Sequence, residues 1–180
     1  LKLGDRISEG SVPETLEVYR PYVLSLTEPY RHEYTREGLE CKEPAGGLTA
    51  GLDPIMRSRG GTWIAAGTSD ADWDMVDEDG RVEVPPGDPE YVLRRIKLSR
   101  EEIMGFYYGF NHQTFWPLLH EVFHRPDFRQ DFWESYRRAN RSYADALLEE
   151  LDGGERSLVW FQDFQLALAP RIFRDELDSD

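Results

Sequence analysis

Cysteine occurs once in this sequence, lysine three times, and no long apolar run is present. Each shortage excludes something. The single Cys41 rules out an internal disulfide framework and a cysteine-rich zinc site, and reads as an ordinary thiol. No stretch approaches the roughly 20 apolar residues of a membrane span, and there is no basic-then-apolar leader. The chain is therefore expected to be soluble and cytoplasmic, without a membrane partner. Basic residues number 21 against 35 acidic ones, and the net charge of −14 argues against nucleic acid as a partner, since phosphate contacts need a basic surface. The acids are spread along the chain. Such a surface stays soluble by self-repulsion and suits a high-salt cytoplasm as well as an ordinary acidic protein. Internal repeats, low-complexity tracts, a G-x-G-x-x-G fingerprint and a Walker pattern are absent too.

What remains is 180 residues, enough for one domain with a sizeable core. The first residue is leucine rather than methionine and the last six are Asp-Glu-Leu-Asp-Ser-Asp, which reads as a fragment of a longer chain. Residues 1–20 form a polar lead-in with a helix-capable piece at Glu14–Tyr19, and residues 21–180 form the domain. Tyr22-Val-Leu-Ser-Leu26 is a buried-strand candidate, and Glu28–Tyr34 suits a loop leaving its carboxyl end, with His32 as a lone surface histidine. Gly46-Gly47 opens an apolar-periodic helix (Leu48, Leu52, Ile55, Met56), and Gly60-Gly61 closes it before the strand Thr62–Gly67. Two readings stand for these glycine pairs. They make tight turns, or the first pair lets backbone N–H groups at a helix N-terminus approach a diphosphate.

Thr68–Pro89 reads as a hairpin or surface insertion around Asp79-Gly80. Its carboxylates, Asp72 among them, read as a solvated loop because the EF-hand glycine and terminal glutamate are missing. Tyr91–Leu98 is the next strand, and Ser99-Arg-Glu-Glu102 is a capping box that starts a helix through Ile103, Phe106 and Tyr107, with Pro117 interrupting the run. The aromatics of this stretch serve core packing or sugar stacking equally well, and helical periodicity does not separate them. His120-Glu-Val-Phe-His124 has the letters of a zinc-protease motif, yet Pro126 ends the helix that motif needs and no G-x-x-H extension follows, so no metal is expected. Asp127 opens the strongest helix, with Phe132, Tyr136, Ala139, Tyr143, Ala146 and Leu147 on one stripe, ended by Asp152-Gly-Gly154. Ser157–Phe161 is then a buried strand and Leu166–Leu177 a last helix. Asp163, between them, either accepts hydrogen bonds from a ligand at a strand end or caps the helix. Strands alternate with helices, which argues a parallel α/β sheet.

Five blocks in order resemble the trehalose-6-phosphate synthase family: Gly46-Gly47-Leu48 with Leu52-Asp53-Pro54; Gly60-Gly61-Thr62-Trp63; Gly105-Phe-Tyr-Tyr-Gly-Phe110 with Trp116-Pro117-Leu118; Asn140-Arg141 with Ala144-Asp145-Ala146; and Val159-Trp160-Phe161-Gln162-Asp163-Phe164-Gln165-Leu166. The resemblance runs from about Tyr22 to the end of the chain. It implies the incomplete, acceptor-side N-terminal Rossmann-like domain of a retaining GT-B glycosyltransferase, whose nucleotide-sugar-binding domain lies outside this sequence. It implies glucosyl transfer from a UDP-glucose-type donor to glucose 6-phosphate, giving trehalose 6-phosphate, without metal or other cofactor. Its partners would be a nucleotide sugar and a sugar phosphate, and a homo-oligomer is compatible with it. By the same resemblance Gly46 and Gly47 bind the donor, Tyr107 and Asp163 bind the acceptor, and Trp116 selects the acceptor's anomer. No catalytic residue falls within the chain, which alone would be inactive. Two departures stand out: Thr27 occupies the place of the family's acceptor-phosphate arginine, and Gln162-Asp163-Phe164-Gln165 keeps only the aspartate of His-Asp-Tyr-His. They keep open a glucosylglycerol-phosphate synthase-like enzyme with another phosphorylated acceptor, and a non-catalytic binding remnant.

Overall fold

The computed structural model of the protein describes residues 19–43, 46–151, 153 and 156–177. The expected lead-in and its helical piece lie outside these residues up to Val18, as do Asp152 and Gly154 of the expected helix stop.

A five-stranded sheet forms the centre, in the order β5-β6-β4-β1-β7. Strands β1 (Arg20–Ser25), β4 (Thr62–Ala66), β6 (Tyr91–Ile96) and β7 (Ser157–Phe161) run parallel, while β5 (Arg81–Val84) joins the β6 edge antiparallel. The α/β parallel sheet expected from strand–helix alternation is therefore present. Central strands covered on both faces read as continuous apolar runs. β4 accordingly buries all five of its residues and β1 all but Arg20.

Alternation divides the side chains between two cores. Tyr22, Leu24, Ile64, Ala66 and Ile96 face a helical layer, and Val23, Trp63, Ala65 and Leu93 face the opposite side. The helical layer contains α5 (Gln130–Glu150), whose six-residue apolar stripe is buried as its periodicity predicts. It starts at Gln130 rather than Asp127. Antiparallel to α5 lies one continuous helical run: α3 (Arg100–Ile103), a π-helix (Met104–Phe115) and α4 (Trp116–Leu119). The Ser99 capping box forms with both of its hydrogen bonds. Pro117 does not break the run; it sits in the first turn of α4, and the Gln113 carbonyl four residues before it accepts from Asp127 N–H (2.8 Å) instead. The last expected helix divides into a 3₁₀ turn (Phe164–Leu166) and α6 (Ala169–Leu177). Asn140, on the buried stripe of α5, explains where α6 begins. Its Oδ1 accepts from the N–H groups of Leu168 (3.1 Å) and Ala169 (3.0 Å), and its Nδ2 donates to the carbonyls of Tyr136 and Gln165.

On the other side α1 (Gly47–Arg59) covers the sheet, and the segment expected to be a loop after β1 is a hairpin, β2 (Arg31–Thr35) with β3 (Gly38–Lys42). The supposed solvated insertion carries the short helix α2 (Asp70–Trp73) and then β5. β7 is an edge strand, and the expectation of a buried strand fails there: Leu158 and Trp160 are 39% and 51% exposed on one of its faces. Among the described residues no helix is long and apolar enough to cross a membrane.

Candidate functional site

The parallel strands end at one edge of the sheet, where open α/β sheets bind ligands. The ends of β1 and β7 are adjacent there, since Gln162 N–H donates to the Leu24 carbonyl at 2.8 Å and continues their pairing. Thr27 and Asp163 thus leave neighbouring strand ends. The β1 exit is held from three sides. Tyr143 Oη donates to the Ser25 carbonyl (3.0 Å), Trp63 Nε1 donates to Ser25 Oγ (2.8 Å), and Ser25 Oγ donates to the Thr27 carbonyl (2.7 Å). Thr27 itself is exposed.

Of the two roles left open for it, Asp163 takes that of a cap. Its carboxylate accepts from Phe164 N–H at 2.7 Å and so caps the 3₁₀ turn, and its side chain remains exposed. Its backbone, at φ 68° and ψ 171°, occupies a region that belongs to glycine and costs about 1–3 kcal/mol for any other residue. The surroundings enforce that conformation: Tyr136 Oη donates to the Phe164 carbonyl (2.7 Å) and accepts from Ala167 N–H (3.1 Å).

The π-helix puts Tyr107 and Trp116 on one face. An i to i+5 ladder makes a turn of roughly 4.4 residues in place of 3.6. Nine residues then complete about two turns, so Tyr107, Asn111 and Trp116 share one face, whereas α-helical spacing would put Trp116 opposite Tyr107. The exposure pattern follows the wider period, with Tyr108, His112, Gln113 and Trp116 open and Phe106, Phe110, Asn111 and Thr114 buried. Trp116 is 44% exposed, with its ring 6.3 Å from that of Phe164, the residue after Asp163. Tyr107 is half-buried and packs its ring on His112 at 4.3 Å. Asn111 between them is fully buried, and neither atom of its carboxamide has a hydrogen-bond partner among the described residues.

His120 stacks on Trp116 at 3.5 Å and 24°. The helix ends at Leu119, His120 caps it, and Glu121 follows at φ 50°. His120 and His124 therefore share no helix, and the pairing on one helical face that a zinc-protease site needs does not form. The helix ends earlier than Pro126 alone would require. Among the described residues no cluster of three or more His, Cys, Asp or Glu groups is arranged to hold a metal.

The two glycine pairs differ. Gly61, at φ 100°, lies so close to β1 that an added Cβ would fall 2.1 Å from the Pro21 carbonyl oxygen, so the second pair makes a tight turn against the sheet. Gly46 is extended at φ −156°, Gly47 begins α1, and a Cβ on either would meet nothing within 4 Å. Neither turn geometry nor packing requires glycine there. Both are exposed at the uncapped N-terminus of α1, which leaves its first N–H groups available.

One constellation at this edge departs from the expectations drawn from the sequence. Arg95 on β6 is completely buried with Glu28, Asp72 and His32, which corrects both the surface histidine and the solvated Asp72. Its Nε donates to Glu28 (2.7 Å), Nη1 to the Asp72 carbonyl (2.9 Å), and Nη2 to the Tyr30 carbonyl (3.0 Å) and His32 Nδ1 (2.9 Å). Asp72 in turn accepts from the N–H groups of His32, Thr68 and Ser69. Burial pushes the Glu28 carboxyl up to about 7 against the pull of Arg95. Burial and the neighbouring guanidinium hold His32 below the usual imidazole range. For Asp72, burial opposes ionisation, but the His32 N–H, then Arg95 and Ser69, outweigh it and hold the carboxyl low. The network fastens the hairpin and α2 to the sheet edge. Two adjacent arginines in an otherwise apolar strand, Arg94-Arg95, were its signal in the sequence. Arg31 differs from Arg95. It is half-buried on β2, its Nε is shielded from solvent, and that nitrogen has no partner among the described residues.

The model of glycosyltransferase family 20 matches residues 19–179 of the chain. A trehalose-6-phosphate synthase of Mycobacterium ulcerans is 36% identical over 177 residues, covering 96% of this chain and 34% of that protein. Another, from Mycolicibacterium smegmatis, is 34% identical over 134 residues, covering 74% of this chain and 24% of its own length. The chain thus spans a quarter to a third of the curated relatives it matches. Among solved structures, one from E. coli described as trehalose-6-phosphate bound with UDP-2-fluoro glucose superposes with a TM-score of 0.64 at 23% identity, over 87% of this chain and 30% of that one. The Burkholderia xenovorans alpha,alpha-trehalose-phosphate synthase (UDP-forming) in complex with glucose-6-phosphate gives 0.63 at 20% identity, over 87% and 31%. At these identities the superpositions establish the fold.

Proposed function

Because the chain belongs to glycosyltransferase family 20, we propose that it is the acceptor-side part of the first Rossmann-like domain of a GT-B enzyme that transfers glucose, with retention, from a UDP-glucose-type donor to glucose 6-phosphate. The domain would be completed by further chain, and a second, nucleotide-sugar-binding domain would close the cleft. Relatives named trehalose-6-phosphate synthase and neighbours crystallised with UDP-2-fluoro glucose and glucose-6-phosphate support the two substrate classes.

The observation that carries the reading is Asp163: a carboxylate held on a strained backbone at the end of β7, beside the Trp116 face, with its side chain exposed. Strain that the surroundings enforce is characteristic of ligand sites. Asp163 would accept hydrogen bonds from acceptor hydroxyls, Tyr107 and Trp116 would present ring faces and edges to the sugar, and Trp116 would favour one anomer. Gly46 and Gly47 would let the donor's diphosphate approach the N–H groups of α1. With no arginine at position 27, Arg31 would supply the cation for an acceptor phosphate. Chain and substrates would then contribute positioning and charge stabilisation, which carry most of the rate in such transfers.

The test is UDP release by the full-length protein with glucose 6-phosphate against glycerol 3-phosphate. Faster turnover with glucose 6-phosphate is expected. Preference for glycerol 3-phosphate would move the acceptor assignment to the glucosylglycerol-phosphate class, and no turnover with either, alongside retained sugar-phosphate binding, would leave a binding remnant. Asp163→Gly supplies a second check. It relieves the backbone and stabilises the fold by about 1 kcal/mol net of the lost cap, while raising the acceptor KM. A destabilised variant with unchanged acceptor KM would remove Asp163 from the site.

A further inference from the structure

Within the acceptor site just proposed, and resting on that reading, the structure assigns a further contact to Asn111: we propose that its carboxamide hydrogen-bonds a sugar hydroxyl of the acceptor. Three observations converge on it. Asn111 is completely buried, yet both its Nδ2 and its Oδ1 lack a partner among the described residues. A carboxamide removed from water without partners opposes folding, so natural cores satisfy such groups. The other buried asparagine of the helical layer shows the usual outcome, for Asn140 is engaged through both atoms by four groups.

The second observation is position. The π-helix brings Asn111 onto the face shared by Tyr107, one turn before it, and Trp116, whose backbone N–H donates to the Asn111 carbonyl. Trp116, at one end of that face, lies 6.3 Å from the ring of Phe164, the residue after Asp163. The third is the π-helix itself. Its wider turn is a rare conformation found at functional sites, and here it aligns two aromatic residues with one unpaired amide. In α-helical register the alignment is lost.

A carboxamide both donates and accepts, so it matches a hydroxyl in either direction. Apolar flanks on both sides favour a sugar ring over a free anion. Because Asn111 is covered in this structure, contact requires the side chains around it to shift as the acceptor enters.

The experiment uses the full-length protein and its Asn111→Leu variant, with thermal unfolding and steady-state kinetics as separate readouts. Leucine is close in volume and removes the unpaired amide. The unfolding temperature is expected to stay or rise, because an unpartnered polar group has been replaced by an apolar one. The KM for glucose 6-phosphate is expected to rise about tenfold, with the KM for UDP-glucose unchanged. A set of deoxyglucose 6-phosphates identifies the hydroxyl. One analogue should bind the wild type about tenfold more weakly than glucose 6-phosphate, and Asn111→Leu should no longer distinguish the two. A lower unfolding temperature with unchanged KM would assign Asn111 to packing and overturn the inference. Unchanged temperature and unchanged KM would assign it to a buried water and overturn the inference equally. Should Asn111→Leu not fold, Asn111→Ala is read by the same criteria. If the wild type shows no affinity for any sugar phosphate, it is the acceptor reading itself that falls, and the two failures are distinguishable.

Discussion

The two sides of the central sheet are held by different forces. On the α1 side the hairpin and α2 are fixed by a buried polar network converging on Arg95. On the other side the π-helix and α5 are joined by rings, with Phe110 packed on Tyr136 (4.5 Å) and Trp133 (5.2 Å) and Trp133 stacked on Tyr136. Removing one partner from the first kind of contact strands a buried charge, whereas the second kind degrades in proportion to the fit lost. The first should also respond to pH and the second should not. Both meet at the edge where the candidate ligand residues lie, so the site takes charge-fixed geometry from one side and shape from the other.

The contrast breaks most sharply at Arg95. Arg95→Leu leaves Glu28 and Asp72 buried without their cation and is expected to cost about 3–5 kcal/mol in urea unfolding. Faster amide exchange across β2 and β3, with α5 unaffected, would accompany the loss. A uniform loss of protection would mean that the two sides are not separable.

Next in size is the pH dependence centred on Glu28. The folded carboxyl keeps its proton to about pH 7, while the unfolded one releases it near 4.5. Between those values the folded state binds more protons, so this group's contribution falls as pH rises, by on the order of 3 kcal/mol across the window. His32 works in the opposite sense. Its folded pKa lies below 6.5, so the unfolded state gains the proton first and stability is lost as pH drops below that value. In Glu28→Gln the decline between 4.5 and 7 should vanish and the acid-side loss from His32 should remain. Wild-type and Glu28→Gln stability curves of the same shape across this window would show that Arg95 keeps Glu28 ionised throughout.

The aromatic side yields the smallest effect. A methyl group at Gly109 would lie 2.6 Å from the Phe132 ring, so Gly109→Ala should force α5 and the π-helix apart at a cost of about 1–2 kcal/mol that does not vary with pH. Denaturant melts on either side of neutral pH would show it. A cost that differed between the two would tie this interface to the Arg95 network.

Much of the fold was legible along the chain because the responsible forces act locally. The Ser99 capping box, the six-residue stripe of α5 and the glycine-bounded α1 each announce themselves within a few residues, and each formed. The family, and with it the candidate site, was legible in the order of five short blocks, while the residues' own periodicity could not sort the aromatics between Phe106 and Trp116. The reason is physical: the α-helical template has 3.6 residues to the turn, and this helix has more.

The sequence by itself determined the alternation of strands and helices, the helix caps and the apolar stripe, since period and capping are properties of neighbouring residues. Only the tertiary structure decided where the buried charges went. Arg95 finds Glu28 67 positions away, and no local pattern distinguishes that arginine from Arg94, which turns to the opposite face and meets Glu149. It also decided the π register. Nothing in Met104–Phe115 taken alone demands a wider turn; the glycines at 105 and 109 that let Ser135 and Phe132 approach acquire their meaning from α5 lying against them. Pattern acts over a turn or two, and burial acts over whatever the fold brings together.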